Sequence, residues 1–297
     1  MTDILLVYKK NFEAVHDLSL DSVTKALDEA SKRRGGLRIE IRAREQVRRA
    51  DFIGRDLVLV LGGDGTLTSI SHNIDAATPV MGINSHPRTA DKTGSFGFYM
   101  DSNLETFAED LETALNGEAI VNELPRLQAI IDTTSGNRFT TDPAMNDLLI
   151  ANTHQYAPSK YHLRRGDNKC HQQSSGLLFS TWLGQGAWLA NAAGKGDLEL
   201  LFKRVKNEHK SSHYFVLARD IAPSEREGMP WSWMDWTDEP TTITSDMHRG
   251  YVVPDGWDEV HFNRGASITV NADAPQLRLL TFRRSMTDRL DAFIAGE

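Results

Sequence analysis

The chain has 297 residues, and this length predicts about two domains. Its 33 Lys and Arg residues against 41 Asp and Glu residues give a formal net charge of −8, which argues against general binding to nucleic acids or anionic membranes. The single cysteine, Cys170, excludes an intramolecular disulfide. The apolar runs are far too short to span a bilayer and the first residues do not resemble a signal peptide, so we expect a cytoplasmic protein.

The N-terminal part of the chain alternates between strand and helix patterns. Residues 57–61 are apolar throughout, as in a central parallel strand covered on both faces. Residues 21–34 carry apolar side chains at helical spacing and end at a glycine pair. Further strands are predicted at 4–8, 37–41 and 79–83, and a further helix at 104–115. The alternation predicts a Rossmann-like α/β domain with a mostly parallel sheet over residues 1–122.

The pattern changes near Pro125, after which strand patterns dominate. Gly, Asn and Pro clusters separate strands predicted at 127–132, 148–151, 176–180, 213–218, 267–270 and 277–282. This spacing predicts a β-rich, β-sandwich-like second domain over residues 123–282. A short amphipathic helix is predicted at 286–294, and we expect residues 283–297 to join the first domain.

The segment Gly62-Gly63-Asp64-Gly65-Thr66 directly follows the apolar strand and precedes a predicted helix. A glycine-rich turn at this place lets a phosphate approach backbone N–H groups at a helix N-terminus. Asp64 does not suit simple anion binding, because a carboxylate repels phosphate. It suits a group that orients a hydroxyl, takes its proton or holds Mg²⁺, while Thr66 is placed to cap the helix or bind a phosphate oxygen. The alternative is a plain Asp-Gly turn.

The glycine turn resembles the shared signature of NAD kinases, diacylglycerol-type lipid kinases and phosphofructokinases. Later segments resemble the NAD kinases in particular and occur in family order over residues 57–282: Gly82-Ile83-Asn84 with Gly94-Ser95-Phe96-Gly97-Phe98, Asn146-Asp147 before an apolar strand, the Gly-rich segment 175–188, and Pro254-Asp255-Gly256. The mitochondrial-type branch of the eukaryotic enzymes is more similar to this chain at residues 84–87, at Ser174-Ser175 and at Ala187-Trp188.

The resemblance implies that the chain phosphorylates the adenosine ribose 2′-hydroxyl of NAD, with ATP or polyphosphate as donor and Mg²⁺ or another divalent metal as cofactor. It implies that Asp64 is the general base or hydroxyl-orienting residue, and that the protein is a homo-oligomer. It assigns no metal ligands to the protein itself. The nucleotide contacts that it implies are Gly62, Gly63, Gly65, Thr66, Asn84, Phe98, Asn146, Asp147, Thr181, Gly184, Ala187 and Trp188.

Four of these side chains have distinct implied roles. Asn146 is expected to bond ribose hydroxyls, and Asp147, as an acceptor, an adenine amine. Phe98 is expected to pack on adenine, and Trp188, at the position of a family tyrosine, to stack on a base or line the pocket.

The chain departs from bacterial NAD kinases at two places. Ser175 replaces an Asp, and residues 183–188 replace Thr-Gly-Ser-Thr-Ala-Tyr. These departures motivate one alternative, a non-catalytic nucleotide-binding regulator, against which the intact Asp64 argues. Another alternative is a kinase for lipids or other hydroxyl acceptors, but residues 69–74 lack the Asn-Gly pair that is typical of the lipid kinases.

Three weaker patterns remain open. The basic run within residues 160–169 fits a mobile loop that receives donor phosphates, a solvated hairpin or a dimer edge. Cys170 and His171, with His162 nearby, are too few for a zinc site, so surface histidines are expected. The Trp-rich segment 231–236 fits a lid, a subunit contact or local core.

Overall fold

The computed structural model describes residues 1–10, 14–88, 92–194, 205, 212–228 and 230–295, and within these it does not describe the side chains of 14–17, 185–186, 225, 227–228, 230 and 294–295. The chain forms two compact units, unit 1 with residues 1–124 and 276–297 and unit 2 with residues 125–275. It passes from one unit to the other within two strands. Among the described residues, no helix combines the length and apolarity needed to cross a membrane.

Unit 1 alternates strands and helices. In chain order its elements are β1 (Thr2–Tyr8), α1 (Ala14–Arg34), β2 (Leu37–Ala43), α2 (Arg49–Phe52), β3 (Leu57–Gly62), α3 (Asp64–Ser71), β4 (Pro79–Asn84), β5 (Ser102–Asn103), α4 (Phe107–Leu115) and the C-terminal α8 (Met286–Ala295).

The sheet of unit 1 is parallel, with the strand order β2-β1-β3-β4. All six residues of β3 are buried, because this strand has a neighbour on each side and apolar cover on its faces. Leu59 and Leu61 of β3 pack in one core with Val23 and Leu27 of α1 and Phe107 of α4. The apolar side chains of α1, which recur at helical spacing, thus cover the sheet, as the sequence pattern predicts.

Unit 2 contains the remaining strands. Its elements are β6 (Ile120–Asp132), β7 (Arg138–Thr140), β8 (Asp147–Asn152), β9 (Ser159–Arg165), β10 (Asn168–Ser174), β11 (Leu177–Ser180), a 3₁₀ turn (Trp182–Gly186), α5 (Trp188–Ala192), β12 (Tyr214–Ala218), α6 (Pro223–Gly228), α7 (Pro230–Trp233), β13 (Met234–Thr237), β14 (Thr241–Ser245), β15 (Arg249–Pro254), β16 (Val260–Asn263) and β17 (Ser267–Thr281).

Two antiparallel sheets build unit 2. One has the order β10-β9-β14-β17, and the other has the order β13-β12-β11-β8-β15-β16. Leu163 and Ile268 from the first sheet share a hydrophobic core with Ile150 and Phe179 from the second. The predicted fold class, a parallel α/β domain followed by a β-rich domain, is therefore confirmed.

Some predicted elements differ from those in the structure. Residues 267–270 and 277–282 were predicted as two strands, but β17 is one strand: residues 267–270 pair with β14 in unit 2, and 278–280 pair with β4 in unit 1. The basic run 160–169 lies on the β9–β10 hairpin. Trp236 is buried, and Trp231 and Trp233 pack against the core of unit 2, so these tryptophans form local core.

Candidate functional site

The glycine turn lies where β3 ends and α3 begins, at the carboxyl edge of the parallel sheet. A Cβ on Gly62 would lie 2.3 Å from Oγ1 of Thr66, and one on Gly63 would lie 2.7 Å from Cβ of Ser95. These two glycines are therefore required by close packing. Gly65 differs, because its backbone is exposed and a Cβ there would have no heavy atom of the described residues within 4 Å beyond its own chain neighbours and helix backbone. Packing therefore does not explain the glycine at position 65, where the backbone is accessible.

The Asp64 carboxylate binds a segment that follows β4. Its Oδ2 accepts hydrogen bonds from Oγ of Ser95 (3.1 Å) and N–H of Gly97 (2.8 Å), and its Oδ1 accepts one from N–H of Tyr99 (2.8 Å). The Asp64 N–H in turn donates to Oγ of Ser95 at 3.2 Å. A carboxylate has roughly four acceptor positions, so the described residues leave one position, on Oδ1, for a ligand. The side chain is only partly buried.

Asn84 lies beside the glycine turn, paired with Gly62 across the neighbouring strands. Its Oδ1 accepts from N–H of His86 (3.2 Å), and its Nδ2 donates to the carbonyl of Ser95 (3.4 Å). A Cβ on Gly97, where φ is +76°, would lie 2.5 Å from this Nδ2. Asn84 thus orders the segment that carries the donors to Asp64, and its predicted nucleotide contact stays a prediction.

Arg289 of α8 anchors the same segment from its other end. Its Nε donates to the carbonyl of Phe98 (3.0 Å) and its Nη2 to that of Gly97 (2.6 Å), while its Nη1 pairs with Asp101. The Phe98 ring packs edge-on against Tyr99 at 5.1 Å. Sequence reasoning missed Arg289, since nothing in its own neighbourhood of the chain points to Asp64.

In unit 2, the start of β8 is held by a buried carboxylate. The oxygens of Asp255 accept hydrogen bonds from the N–H groups of Met145 (2.7 Å), Asn146 (2.8 Å) and Asp147 (3.0 Å). Burial raises the pKa of Asp255 to about 6, and the three N–H donors oppose that rise. The sequence predicts a tight turn at Asp255; the structure adds that this residue, at φ 47°, fixes the backbone of the Asn146-Asp147 pair.

Asp147 has an unusual environment. Its side chain is buried, its Oδ2 accepts from N–H of Trp188 (3.3 Å), and its Oδ1 has no hydrogen-bond donor among the described residues. Burial raises the pKa of Asp147 to about 7; the nearby Ser180 hydroxyl and the Trp188 N–H oppose this rise, and the charge of Asp255 adds to it. A Cβ on Gly184 would lie 2.7 Å from the carbonyl oxygen of Asn146 and 3.0 Å from this Oδ1, so close packing against the carboxylate requires glycine there. Such an orphaned polar atom suits a ligand's hydrogen-bond donor.

The Gly-rich segment surrounds Asp147 from the other side. Thr181 is buried; its Oγ1 donates to the carbonyl of Met145 and accepts from N–H of Leu183 (3.2 Å). The Ala187 N–H donates to the carbonyl of Gly184 at 2.9 Å. Trp188 is 39% exposed, with the Arg219 guanidinium 5.0 Å from its ring centre. Thr181 and Gly184 therefore shape the site from within, whereas Trp188 presents a ring to solvent.

The predicted residues fall into two clusters. In unit 1 the structure brings together the turn residues Gly62, Gly63, Asp64, Gly65 and Thr66 with Asn84 and the segment 95–99. In unit 2 it brings together Asn146, Asp147, Thr181, Gly184, Ala187 and Trp188. The side chains of residues 185–186 lie outside the described part of the chain.

Comparison with known proteins finds a matching family model for unit 1 and relatives that align over most of the chain. Residues 6–119 match the family model of the ATP-NAD kinase N-terminal domain. A probable NADH kinase of Oryza sativa subsp. japonica is 24% identical over 76% of this chain and 70% of its own. The NAD kinase of Thermoplasma volcanium is 23% identical over 80% of this chain and 78% of its own.

Solved structures share the fold. An NAD kinase from Archaeoglobus fulgidus in complex with ATP superposes with a TM-score of 0.71 at 16% identity, covering 99% of this chain and 98% of that one. Yeast NADH kinase complexed with NADH gives a TM-score of 0.71 at 14% identity, covering 100% of this chain and 88% of that one. The chain is thus similar to NAD kinases and NADH kinases over most of its length, and its residues 6–119 match the ATP-NAD kinase family model.

Proposed function

We propose that the chain transfers the γ-phosphoryl group of ATP to the 2′-hydroxyl of the adenosine ribose of NAD, forming NADP and ADP. The observation that carries this proposal is the Asp64 carboxylate, held by three donors at an open glycine turn with one acceptor position left. The match of residues 6–119 to the ATP-NAD kinase family model supports NAD as acceptor, and the ATP complex of the Archaeoglobus fulgidus NAD kinase supports ATP as donor.

Asp64 serves to orient the attacking hydroxyl. A neutral hydroxyl is a weak nucleophile, and phosphoryl transfer depends mainly on alignment and on stabilisation of charge. The hydrogen bonds from Gly97 and Tyr99 fix both carboxylate oxygens, so that the remaining position of Oδ1 points in one direction. A 2′-hydroxyl that donates there presents its oxygen lone pairs to phosphorus, and the same carboxylate can take the proton as the bond forms.

The glycine turn serves the phosphates. Gly65 is exposed, and no neighbouring atom occupies the space where a side chain would project. A phosphate can therefore approach the first turn of α3, whose N–H groups and dipole favour negative charge. The cost of bringing a phosphate near the Asp64 carboxylate is reduced because that carboxylate already accepts N–H donors.

A divalent cation is the expected cofactor. Mg²⁺ retains several waters and is usually held by one or two carboxylates together with substrate phosphates. The open turn in unit 1 fits this mode, because it admits the phosphates that would supply oxygens to the ion beside the Asp64 carboxylate, whose one remaining acceptor position is used by the hydroxyl. When bound, Mg²⁺ neutralises charge on the transferred phosphoryl group.

The Asn146-Asp147 cluster serves the nucleoside. The orphaned Oδ1 of Asp147 is an acceptor in a dry environment, where a hydrogen bond from an adenine amine is stronger than in water. Asn146, whose backbone is fixed by Asp255, suits a contact with ribose hydroxyls. Trp188, with its partly exposed ring, suits stacking on a base.

NADH is a second candidate acceptor, because the rice and yeast relatives are described as NADH kinases. Incubation with ATP and Mg²⁺ and either NAD or NADH, followed by chromatography, separates the alternatives. NADP as the main product supports the proposal, and NADPH as the main product supports the second candidate. Tight binding of NAD without any product would instead favour a non-catalytic regulator. Failure to bind either dinucleotide would contradict both kinase assignments.

A further inference from the structure

The outer face of the β9–β10 hairpin carries two histidines directly opposite each other. The strand register pairs His162 with His171, and both side chains are exposed. Their ring centres lie 4.8 Å apart. Cys170, next in the chain, packs against the core of unit 2 on the opposite face of the sheet, since side chains alternate along a strand.

An aspartate that the sequence does not associate with these histidines completes the group. Asp246 follows β14, the strand next to β9, and its N–H donates to the carbonyl of Lys160 at 3.0 Å. Its Oδ2 lies 3.1 Å from Nε2 of His162 and 3.4 Å from Nε2 of His171. One carboxylate oxygen is thus shared by two imidazole nitrogens from different strands.

These distances match those between ligand atoms around one metal ion. Ligand atoms about 2.0–2.1 Å from a zinc ion at tetrahedral angles lie about 3.3–3.4 Å from each other. All three donor atoms lie within 4.8 Å of one another, so small side-chain adjustments can place an ion between them. The other carboxylate oxygen, Oδ1, faces Nη2 of Arg264 at 3.5 Å, which leaves Oδ2 directed at the imidazoles.

We propose that His162, His171 and Asp246 bind a divalent transition-metal ion of the zinc class on the outer face of unit 2. Two imidazoles and a carboxylate are a ligand set that suits Zn²⁺, and a fourth position remains open. The two histidines line a groove of about 500 Å³ together with Arg164 and Lys169. These two cations oppose binding of the metal ion but favour an anion as its fourth ligand. The site is separate from the Asp64 turn.

The test is zinc binding by the full chain without a histidine tag or added nucleotide, measured by titration calorimetry. The wild type should bind one Zn²⁺, and His171→Ala and Asp246→Asn should each lower the zinc affinity at least ~10-fold. Loss of a residue that only hydrogen-bonds to a metal ligand already costs about 10-fold in affinity, so loss of a ligand should cost no less. His261→Ala is the matched control, because His261 forms a similar exposed pair with Glu259 (2.9 Å) that lacks a third ligand. It should leave zinc affinity unchanged.

A second readout distinguishes ligation from an indirect effect. The X-ray absorption spectrum of the zinc complex should show two imidazole nitrogens, and His171→Ala should remove one of them. Zinc should also raise the melting temperature of the wild type and not of His171→Ala. The proposal is overturned if the wild type binds no zinc, if the two variants bind it as tightly as the wild type, or if the spectrum shows sulfur from Cys170.

Discussion

The backbone N–H of Tyr99 donates a 2.8 Å hydrogen bond to Oδ1 of Asp64, the residue at the centre of the glycine turn. Gly97 and Ser95 bond the other oxygen of the same carboxylate. Asp64 therefore holds the segment after β4 in place, and that segment in turn fixes the orientation of the carboxylate. The proposed catalytic residue is also a structural one, so its variants must be assessed for both effects.

Asp64→Asn should lower the rate of NADP formation at least ~10²-fold, the scale of losing a general base. The amide NH₂ would also face an N–H donor, either Gly97 or Tyr99, so the melting temperature should fall. Ser95→Ala is the control, because it removes one bond to the carboxylate and leaves its charge. A rate loss in Ser95→Ala as large as that in Asp64→Asn would assign the effect to the segment rather than to the carboxylate.

Gly65→Ala separates ligand binding from packing. The position has ordinary helical geometry and open space in front of it, so alanine should leave stability unchanged or raise it by about 0.5–1 kcal/mol. Affinity for ATP should nevertheless fall, because the new methyl group occupies the approach to the turn. Gly63→Ala should instead lose about 1–3 kcal/mol of stability through its contact with Ser95. Unchanged ATP affinity in Gly65→Ala would exclude phosphate contact there.

Asn146→Ala should weaken NAD binding about 2- to 10-fold, the value of one hydrogen bond of about 0.5–1.5 kcal/mol. The fold should persist, because the bonds to Asp255 and Thr181 at this position use the backbone. Titration calorimetry with NAD measures the effect, and Asn263→Ala on the exposed end of β16 is the control. Equal affinities in the two variants would remove Asn146 from the nucleotide site.

The raised pKa of Asp147 predicts a pH-dependent stability. The folded-state pKa of about 7 lies above the ordinary 3.8, so the folded state binds the proton more tightly than the unfolded state between these values. The proton on Asp147 therefore stabilises the folded state fully below about pH 4, and this stabilisation is lost as the pH rises through about 7. Between pH 5 and pH 8, urea unfolding should therefore show the wild type losing on the order of 1–3 kcal/mol more than Asp147→Asn.

Asp167→Asn, at the exposed turn of the β9–β10 hairpin, is the control for that measurement and should follow the wild type. Because burial also raises the pKa of Asp255, some loss of stability with rising pH should persist in Asp147→Asn. If the free energy of unfolding varied with pH in the same way in the wild type and in Asp147→Asn, ionisation of Asp147 would not destabilise the folded state.

The sequence was sufficient for the position of the glycine turn. An apolar run, three glycines and a helical pattern are local signals, and they correctly located the turn after β3, although the helix predicted from Leu67 begins at Asp64. The donors to Asp64 were not predictable in this way. Two of them are backbone N–H groups, at Gly97 and Tyr99, and any residue type except proline supplies one.

Long-range pairing explains the other differences. Residues 267–270 and 277–282 were predicted as two separate strands, because Gly, Asn and Pro clusters were taken to separate the strands of this part of the chain. The structure keeps one strand, β17, whose residues 267–270 pair with β14 and whose residues 278–280 pair with β4. Similarly, Asp246 joins His162 and His171 only because β14 pairs with β9, a register that no local pattern discloses.

The most direct test of the proposed function uses ATP labelled at the γ-phosphate with ³²P, together with NAD, Mg²⁺ and the full chain. We expect the label in the 2′-phosphate of NADP for the wild type, and label reduced at least ~10²-fold for Asp64→Asn under the same conditions. Absence of label from NADP with folded wild-type protein, or equal labelling by the two proteins, would contradict the role given to Asp64.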